Sequence, residues 1–305
     1  MPKHDTFLKS LYRPGIRDAA SLLFPETASQ IRWDQLHWLD KEITILGPRR
    51  RSVVADLVAA TRDVEGRYTQ ILVHPELQMR ADSDMGWRAL QYNAGLTLRS
   101  GRSDTRVLTM VFYHCAGMGG IQRKEYRLDF YDSYTLGVGY WSVGLGDLEA
   151  RDYVDRDNPM AWALASWMRH TGFSRPELRL TLQEKILRRV HDDEYREALL
   201  GAVQEYFTLN EKERAEEQRL RTSKQYAEVQ EMLVGDLGKA EQRGLRTGRR
   251  EGVLESLMDL LESRFGPVPP EIQNRLKNER SLPRLRELVR LASIAPNLDV
   301  IERSL

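Results

Sequence analysis

The chain has 305 residues, more than one ordinary domain holds, so two or three compact units are expected. Its 46 basic and 45 acidic residues leave a net charge of +1, so global charge favours no partner class and any phosphate-binding surface has to come from local clustering. A mean hydropathy of −0.54, the lack of an apolar run of membrane-helix length or of a basic-then-apolar leader, and a single cysteine, Cys115, which excludes an internal disulfide, predict a cytoplasmic protein with no membrane association.

In chain order, residues 5–24 place Leu8, Leu11, Ile16, Ala20 and Leu23 at helical spacing, which predicts an amphipathic helix broken at Pro14-Gly15. Residues 36–46 read as a strand stopped by Gly47-Pro48, and residues 52–60 (SVVADLVAA) as a second strand with Asp56 inside it. A turn over 62–66 leads into a third strand from Tyr68 to Val73, and the short polar connection makes these last two an antiparallel hairpin. Residues 85–98 read as a helix with Trp87, Leu90, Ala94 and Leu98 on one face, ended by Ser100-Gly101. The run 106–115 (RVLTMVFYHC) is apolar enough to be a central strand buried on both faces beside a helical crossover. Residues 130–145 add further strand, giving a mixed sheet with helices packed on it.

From Asn158-Pro159 the chain turns helical, with segments through Trp167, over 176–190 and over 194–207. Residues 210–264 read as one long charged helix opened by a capping box of Asn210 and Glu213. Its narrow apolar stripe of Tyr226, Val229, Leu233 and Leu237 predicts a partner helix, and hence a homo-oligomer through the C-terminal helices. Gly244, Gly248 and Gly252 mark a weak helix or hinge, since each costs about 1 kcal/mol relative to alanine. Arg264-Phe265-Gly266-Pro267 is a stop, followed by short helices near 270–277, 283–294 and 298–304. The expected organisation is a core over 1–150, a helical extension over 151–209, a charged helix or hinge over 210–252 and a small helical domain over 253–305.

The chemistry concentrates in ILVHPELQ, residues 71–78. Side chains alternate along a strand, so Glu76 and Gln78 point the same way. A hairpin places strands ~5 Å apart, and a reasonable register sets Asp56 beside Glu76. Two carboxylates that close repel unless a cation joins them, and hard ions such as Mg²⁺ bind through one or two carboxylates and phosphate oxygens. Spacing alone favours the plainer alternative, that both residues are ordinary exposed side chains on opposite faces. His74 is expected on the other side of the strand, as packing. His114 reads as a satisfied structural histidine and Cys115 as a buried thiol. The basic clusters Arg49-Arg50-Arg51 and Arg99, Arg102, Arg106 read either as contacts to a DNA backbone or as solvated loop arginines, and QRGLRTGRR (242–250) reads likewise.

Asp56 followed by Glu76-x-Gln78 resembles the PD-(D/E)xK nuclease superfamily, and within it the Rpn-type recombination-promoting nucleases often labelled transposase-like. HDTFLK (4–9), PRRRSVVADLVAATR (48–62), Arg88 to Tyr92 (RALQY) as an R-x-x-x-Y helix, Phe112-Tyr113-His114 and Asn158-Pro159 all resemble that family's stretches in order and spacing. The C-terminal GLRTGRREG…LLESRFGPVPPEI is similar to a small domain of unknown function often appended to such proteins. The resemblance covers nearly the whole chain. It implies a restriction-endonuclease-like α/β core and a metal-dependent DNA endonuclease linked to recombination or mobile elements. Asp56 and Glu76 would then hold Mg²⁺ or Mn²⁺, with Glu42 as a further carboxylate. Gln78 would stand where the wider superfamily has a lysine, orienting water without supplying charge. Arg88 would reach the site or a phosphate, and Tyr92 would pack its helix on the sheet. Pro75 departs from the family, whose members carry an apolar or β-branched residue there. Either the strand bulges and still aims Glu76, or the site is distorted and the fold survives as a DNA-binding or protein-interaction module.

Overall fold

The structure, a computed structural model, describes residues 3–39, 43–46, 52–55, 57–130, 133–223, 226–279 and 281–304. The chain divides into two compact units, Met1–Gln230 and Glu231–Leu305.

In the first unit, α1 (Lys3–Leu23) buries Leu8, Leu11, Tyr12, Ile16, Ala20 and Leu23 along one stripe, and the four-residue α2 (Pro25–Ala28) follows it. The break expected at Pro14-Gly15 does not occur. Pro14 and Ser10 lie on the exposed side, so the carbonyl that proline leaves without an N–H partner faces water while the buried stripe holds the helix together. Gly15 serves packing instead: a Cβ there would sit 2.5 Å from Met160 Sδ.

The main sheet is mixed, with strand order β1 (His37–Trp38), β4 (Ala59–Thr61), β5 (Gln70–Gln78), β6 (Thr105–Tyr113), β8 (Ser133–Gly144) and β7 (Ile121–Phe130). β5, β6 and β8 run parallel, and the β4–β5 hairpin is antiparallel as expected. The two other expected strands each split. Residues 36–46 give β1 in the main sheet and β2 (Ile43–Leu46) outside it. Residues 52–60 give β3 (Ser52–Ala55), paired with β2 in a separate two-stranded sheet, and then the start of β4. β7 was not expected at all, because Gln122, Arg123, Lys124, Glu125 and Arg127 hide its alternation; such charges suit the sheet edge it occupies.

Between β5 and β6 lies the crossover helix α3 (Met85–Ser100), closed by Gly101 at φ 66°. Its buried face is Met85, Ala89, Tyr92 and Leu96, not the expected Trp87, Leu90, Ala94 and Leu98: of those only Leu90 is buried, and Leu98 is 81% exposed. Val111 and Tyr113 of β6 pack under α3, while Phe112, one residue out of phase, meets Tyr12 of α1 at 4.6 Å between ring centroids. The sheet is therefore covered on both faces.

The helical remainder of this unit is α4 (Pro159–Leu164), α5 (Arg175–Arg189), α6 (Asp193–Tyr206) and α7 (Glu211–Arg221). Asn158 caps α4 by accepting from the Ala161 N–H at 3.1 Å, and the Asn210–Glu213 capping box forms. The expected single helix over 210–264 is two. Thr222 and Ser223 hydroxyls donate back to the carbonyls of Arg219 and Leu220 at 2.7 and 2.6 Å, ending α7 before α8 (Ala227–Phe265) begins. α8 continues through Gly244, Gly248 and Gly252 without a break, held by buried Val229 and Leu233 early and Leu257 and Leu261 late. Of the stripe, Tyr226 and Val229 are buried in the first unit and Leu233 is buried in the second, while the Leu237 side chain lies outside what the structure describes.

In the second unit α8 ends at Gly266, φ 80°, and α9 (Pro270–Asn278), α10 (Leu282–Ile294) and α11 (Leu298–Ser304) follow. Their core joins Leu257, Leu261, Ile272, Leu276, Leu285 and Ile301. Among the described residues no helix is long and apolar enough to cross a membrane.

Candidate functional site

The site is built by two periodicities. Along β5 the period of two sends His74, Glu76 and Gln78 to one side. The unbroken parallel register pairs them with Thr109, Val111 and Tyr113, and Val111 and Tyr113 pack under α3. Along α3 the period of 3.6 brings Arg88 and Tyr92, four apart, onto the face that looks down on them. The E-x-Q strand and the R-x-x-x-Y helix therefore meet.

Glu76 is buried, 7% exposed. Its Oε1 accepts from Arg88 Nη2 at 2.5 Å and from Gln78 Nε2 at 2.7 Å. Arg88 also donates to Asp82 Oδ2 at 2.6 Å and to the Tyr92 hydroxyl at 2.9 Å. His74 is corrected from its expected place: it lies on the same side as Glu76, with Nε2 3.5 Å from Oε2. The alternation that aligned Glu76 with Gln78 would have placed it. Burial pushes the Glu76 carboxyl up, but His74, Arg88 and Gln78 more than offset this and its pKa lies below the usual value. Burial likewise disfavours the Arg88 charge, and Glu76, Tyr92 and Asp82 restore it and raise its pKa. Burial and the Glu76 charge both raise Tyr92, keeping it protonated. The cluster thus holds an ionised carboxylate against an arginine shared by two acids.

Pro75 neither bulges the strand nor displaces Glu76. Its pairing with Met110 lies in a register that runs without a shift from Gln70↔Thr105 to Gln78↔Tyr113. On the other side of β5 the ladder to β4 ends at Ala59↔Val73, so among the described residues Pro75 sits where β5 has an edge on that side, the position a residue without N–H tolerates.

Asp56, Glu42, Arg49, Arg50 and Arg51 lie outside the described residues. The neighbours Ala55 and Val58 are buried in one cluster with Leu72, Tyr92 and Leu96. Arg106 stacks over Tyr68 at 4.7 Å, and Arg102 lines a cleft with His37, Arg62 and Gln70. That cleft is at the start of β5, ~20 Å along the strand from Glu76 at its usual rise, so these arginines do not join the Glu76 cluster. His114 is structural: its ring meets the Tyr12 hydroxyl at 3.2 Å and the Gln78 carbonyl at 3.3 Å, and burial lowers its pKa to about 4. Cys115 is half-buried and its thiol pKa is raised by burial.

Sequence reading missed Asp147, whose carboxylate accepts backbone N–H groups of Gly117, Met118, Gly119 and Gly120 at 2.7–3.4 Å. The glycine spacing in CAGMGG, 115–120, was the available signal: Gly117, Gly119 and Gly120 all take positive φ.

Glu76 and the Gln78 carboxamide oxygen are hard oxygen donors of the kind Mg²⁺ takes. Among the described residues no group of three or more His, Cys, Asp or Glu side chains is arranged to hold a metal ion. No protein-family model, curated protein or solved structure matches this chain.

Proposed function

We propose that the chain is a metal-dependent DNA endonuclease of the PD-(D/E)xK type, hydrolysing phosphodiester bonds. The observation that supports it is the buried, ionised Glu76 on a central strand, gathered with Gln78, Arg88 and Tyr92. Buried carboxylates with perturbed pKa values and specific charge partners cluster at functional sites.

In this reading Glu76 is a metal ligand and Asp56 its companion, with Glu42 as a further carboxylate. Mg²⁺ or Mn²⁺, when bound, supplies Lewis acidity and a water of lowered pKa. Gln78 orients that water through its carboxamide and adds no charge. Arg88 keeps Glu76 ionised, and Asp82 and Tyr92 keep Arg88 in place. Arg49, Arg50 and Arg51 would carry the DNA backbone, with salt-dependent, sequence-independent affinity. A link to recombination or mobile elements rests on the resemblance alone.

One observation favours a second reading, a decayed nuclease that binds DNA or protein: Arg88 already neutralises Glu76 without any ion. Plasmid nicking separates them. Purified protein is incubated with supercoiled DNA, with and without Mg²⁺ or Mn²⁺, beside Glu76→Ala. Metal-dependent nicking lost in the variant is expected. Folded protein that binds DNA in a salt-dependent way and never cuts it establishes the second reading.

A further inference from the structure

We propose that His74 is a positioning residue for Glu76, locked as the Nε2–H tautomer by a relay from Asn93 through Thr109; its role in the reaction rests on the endonuclease reading above. The relay is assigned from its far end. Asn93 Nδ2 lies 3.0 Å from the Ala89 carbonyl and 2.9 Å from Thr109 Oγ1. A carbonyl only accepts, which fixes that atom as the amide nitrogen and makes Thr109 Oγ1 the acceptor of its second proton. The Thr109 hydroxyl proton is then left for His74 Nδ1, 3.5 Å away. An imidazole that accepts at Nδ1 carries its proton on Nε2. That nitrogen faces Glu76 Oε2 at 3.5 Å, and an ionised carboxylate accepts only, so the carboxylate end agrees with a proton on Nε2.

The His74 ring is fully buried, and its Nε2 closes no hydrogen bond at this separation. A buried donor in that condition is costly unless a small shift closes it. The Tyr92 ring, 4.3 Å away, packs against the imidazole and hinders its turning. Arg88 and Gln78 both hold Oε1, while His74 Nε2 faces Oε2, and the Tyr92 hydroxyl also bonds the carboxylate. Were Glu76 to hold an ion, the His74 N–H would be placed to orient its carboxylate through Oε2. Histidine-to-carboxylate contacts of this kind typically tune metal affinity 10–100-fold (on the order of).

The test uses the full chain at one fixed neutral pH. In ¹⁵N-histidine-labelled protein, long-range ¹H–¹⁵N spectra are expected to show His74 protonated at Nε2. Thr109→Val should give a mixed or Nδ1–H ring and move the Glu76 side-chain ¹³C carboxyl resonance; Thr109→Ser should restore both. An Nδ1–H ring in the unaltered protein, or a Glu76 resonance indifferent to Thr109→Val, overturns the relay. Mn²⁺ titration is then run on the same proteins. Weakening by about tenfold in Thr109→Val and rescue in Thr109→Ser is the expected result. Unaltered protein that binds no Mn²⁺ counts against the endonuclease reading, while the tautomer spectra still decide the relay.

Discussion

Glu76 and His114 are both buried ionisable groups, and their opposite fates come down to what each one touches. Glu76 stays charged because His74, Arg88 and Gln78 together outweigh its burial. His114 meets a hydroxyl and a carbonyl, and burial wins, bringing its pKa to about 4. The unfolded ring titrates near ~6.5, so between those values the unfolded chain binds the extra proton. A depressed folded pKa means stability that is complete above about pH 6.5 and lost as pH falls toward 4, on the order of 3 kcal/mol in all. Denaturant unfolding at a series of pH values should show this slope, and His114→Gln should flatten it whatever it does to the plateau. A variant with the original slope would mean that His114 is not the titrating group. At this scale the sequence was legible wherever a local period sufficed: Glu76 with Gln78, and Arg88 with Tyr92. Asp82, Thr109 and Asn93 were not legible, because what brings Thr109 beside His74 is the β5–β6 register, a property of two strands.

Elements were legible where their boundaries are chemical. Asn158, Asn210 and Gly266 mark helix ends through their own side chains or backbone freedom, and the helices over 175–206 and 270–304 fall close to their predicted limits. They were illegible where tertiary contact decides: the divided strands beside Asp56, the charged edge strand β7, and the uninterrupted α1. Gly15 puts the last of these to a quantitative test. Alanine gains about 1 kcal/mol of helix propensity over glycine in isolation. Here its Cβ would press on Met160 Sδ at 2.5 Å and Cγ at 2.9 Å, with the Tyr195 hydroxyl at 3.1 Å. Met160 is fully buried, so it has little room to yield. Overpacking of this kind typically costs ~1–3 kcal/mol, which outweighs the propensity gain. Gly15→Ala should therefore lower Tm, and in a double-mutant cycle its cost should shrink on a Met160→Ala background, where the clash is gone. A single variant more stable than the original would show that Gly15 is a helix defect with no packing purpose.

Across the whole molecule, the candidate chemistry lies in the first unit and the second has its own apolar core. That core draws on α8 through α11, with Leu257, Leu261, Leu276, Leu285 and Ile301 all fully buried. A unit of this length carries roughly 4–11 kcal/mol at ordinary stability per residue. Leu→Ala at a fully buried core position costs roughly 2–5 kcal/mol, because the cavity collapses only in part. Leu285→Ala therefore removes a large share of what holds the second unit. Hydrogen exchange should show it, with protection falling across α9, α10 and α11. In β5 and β6, where Glu76 and its neighbours reside, protection should stay as it was, since none of the residues of that core belongs to the sheet. Protection lost equally from β5 and β6 would mean that the two units unfold as one cooperative block. The C-terminal helices would then have to be counted among the supports of the Glu76 site.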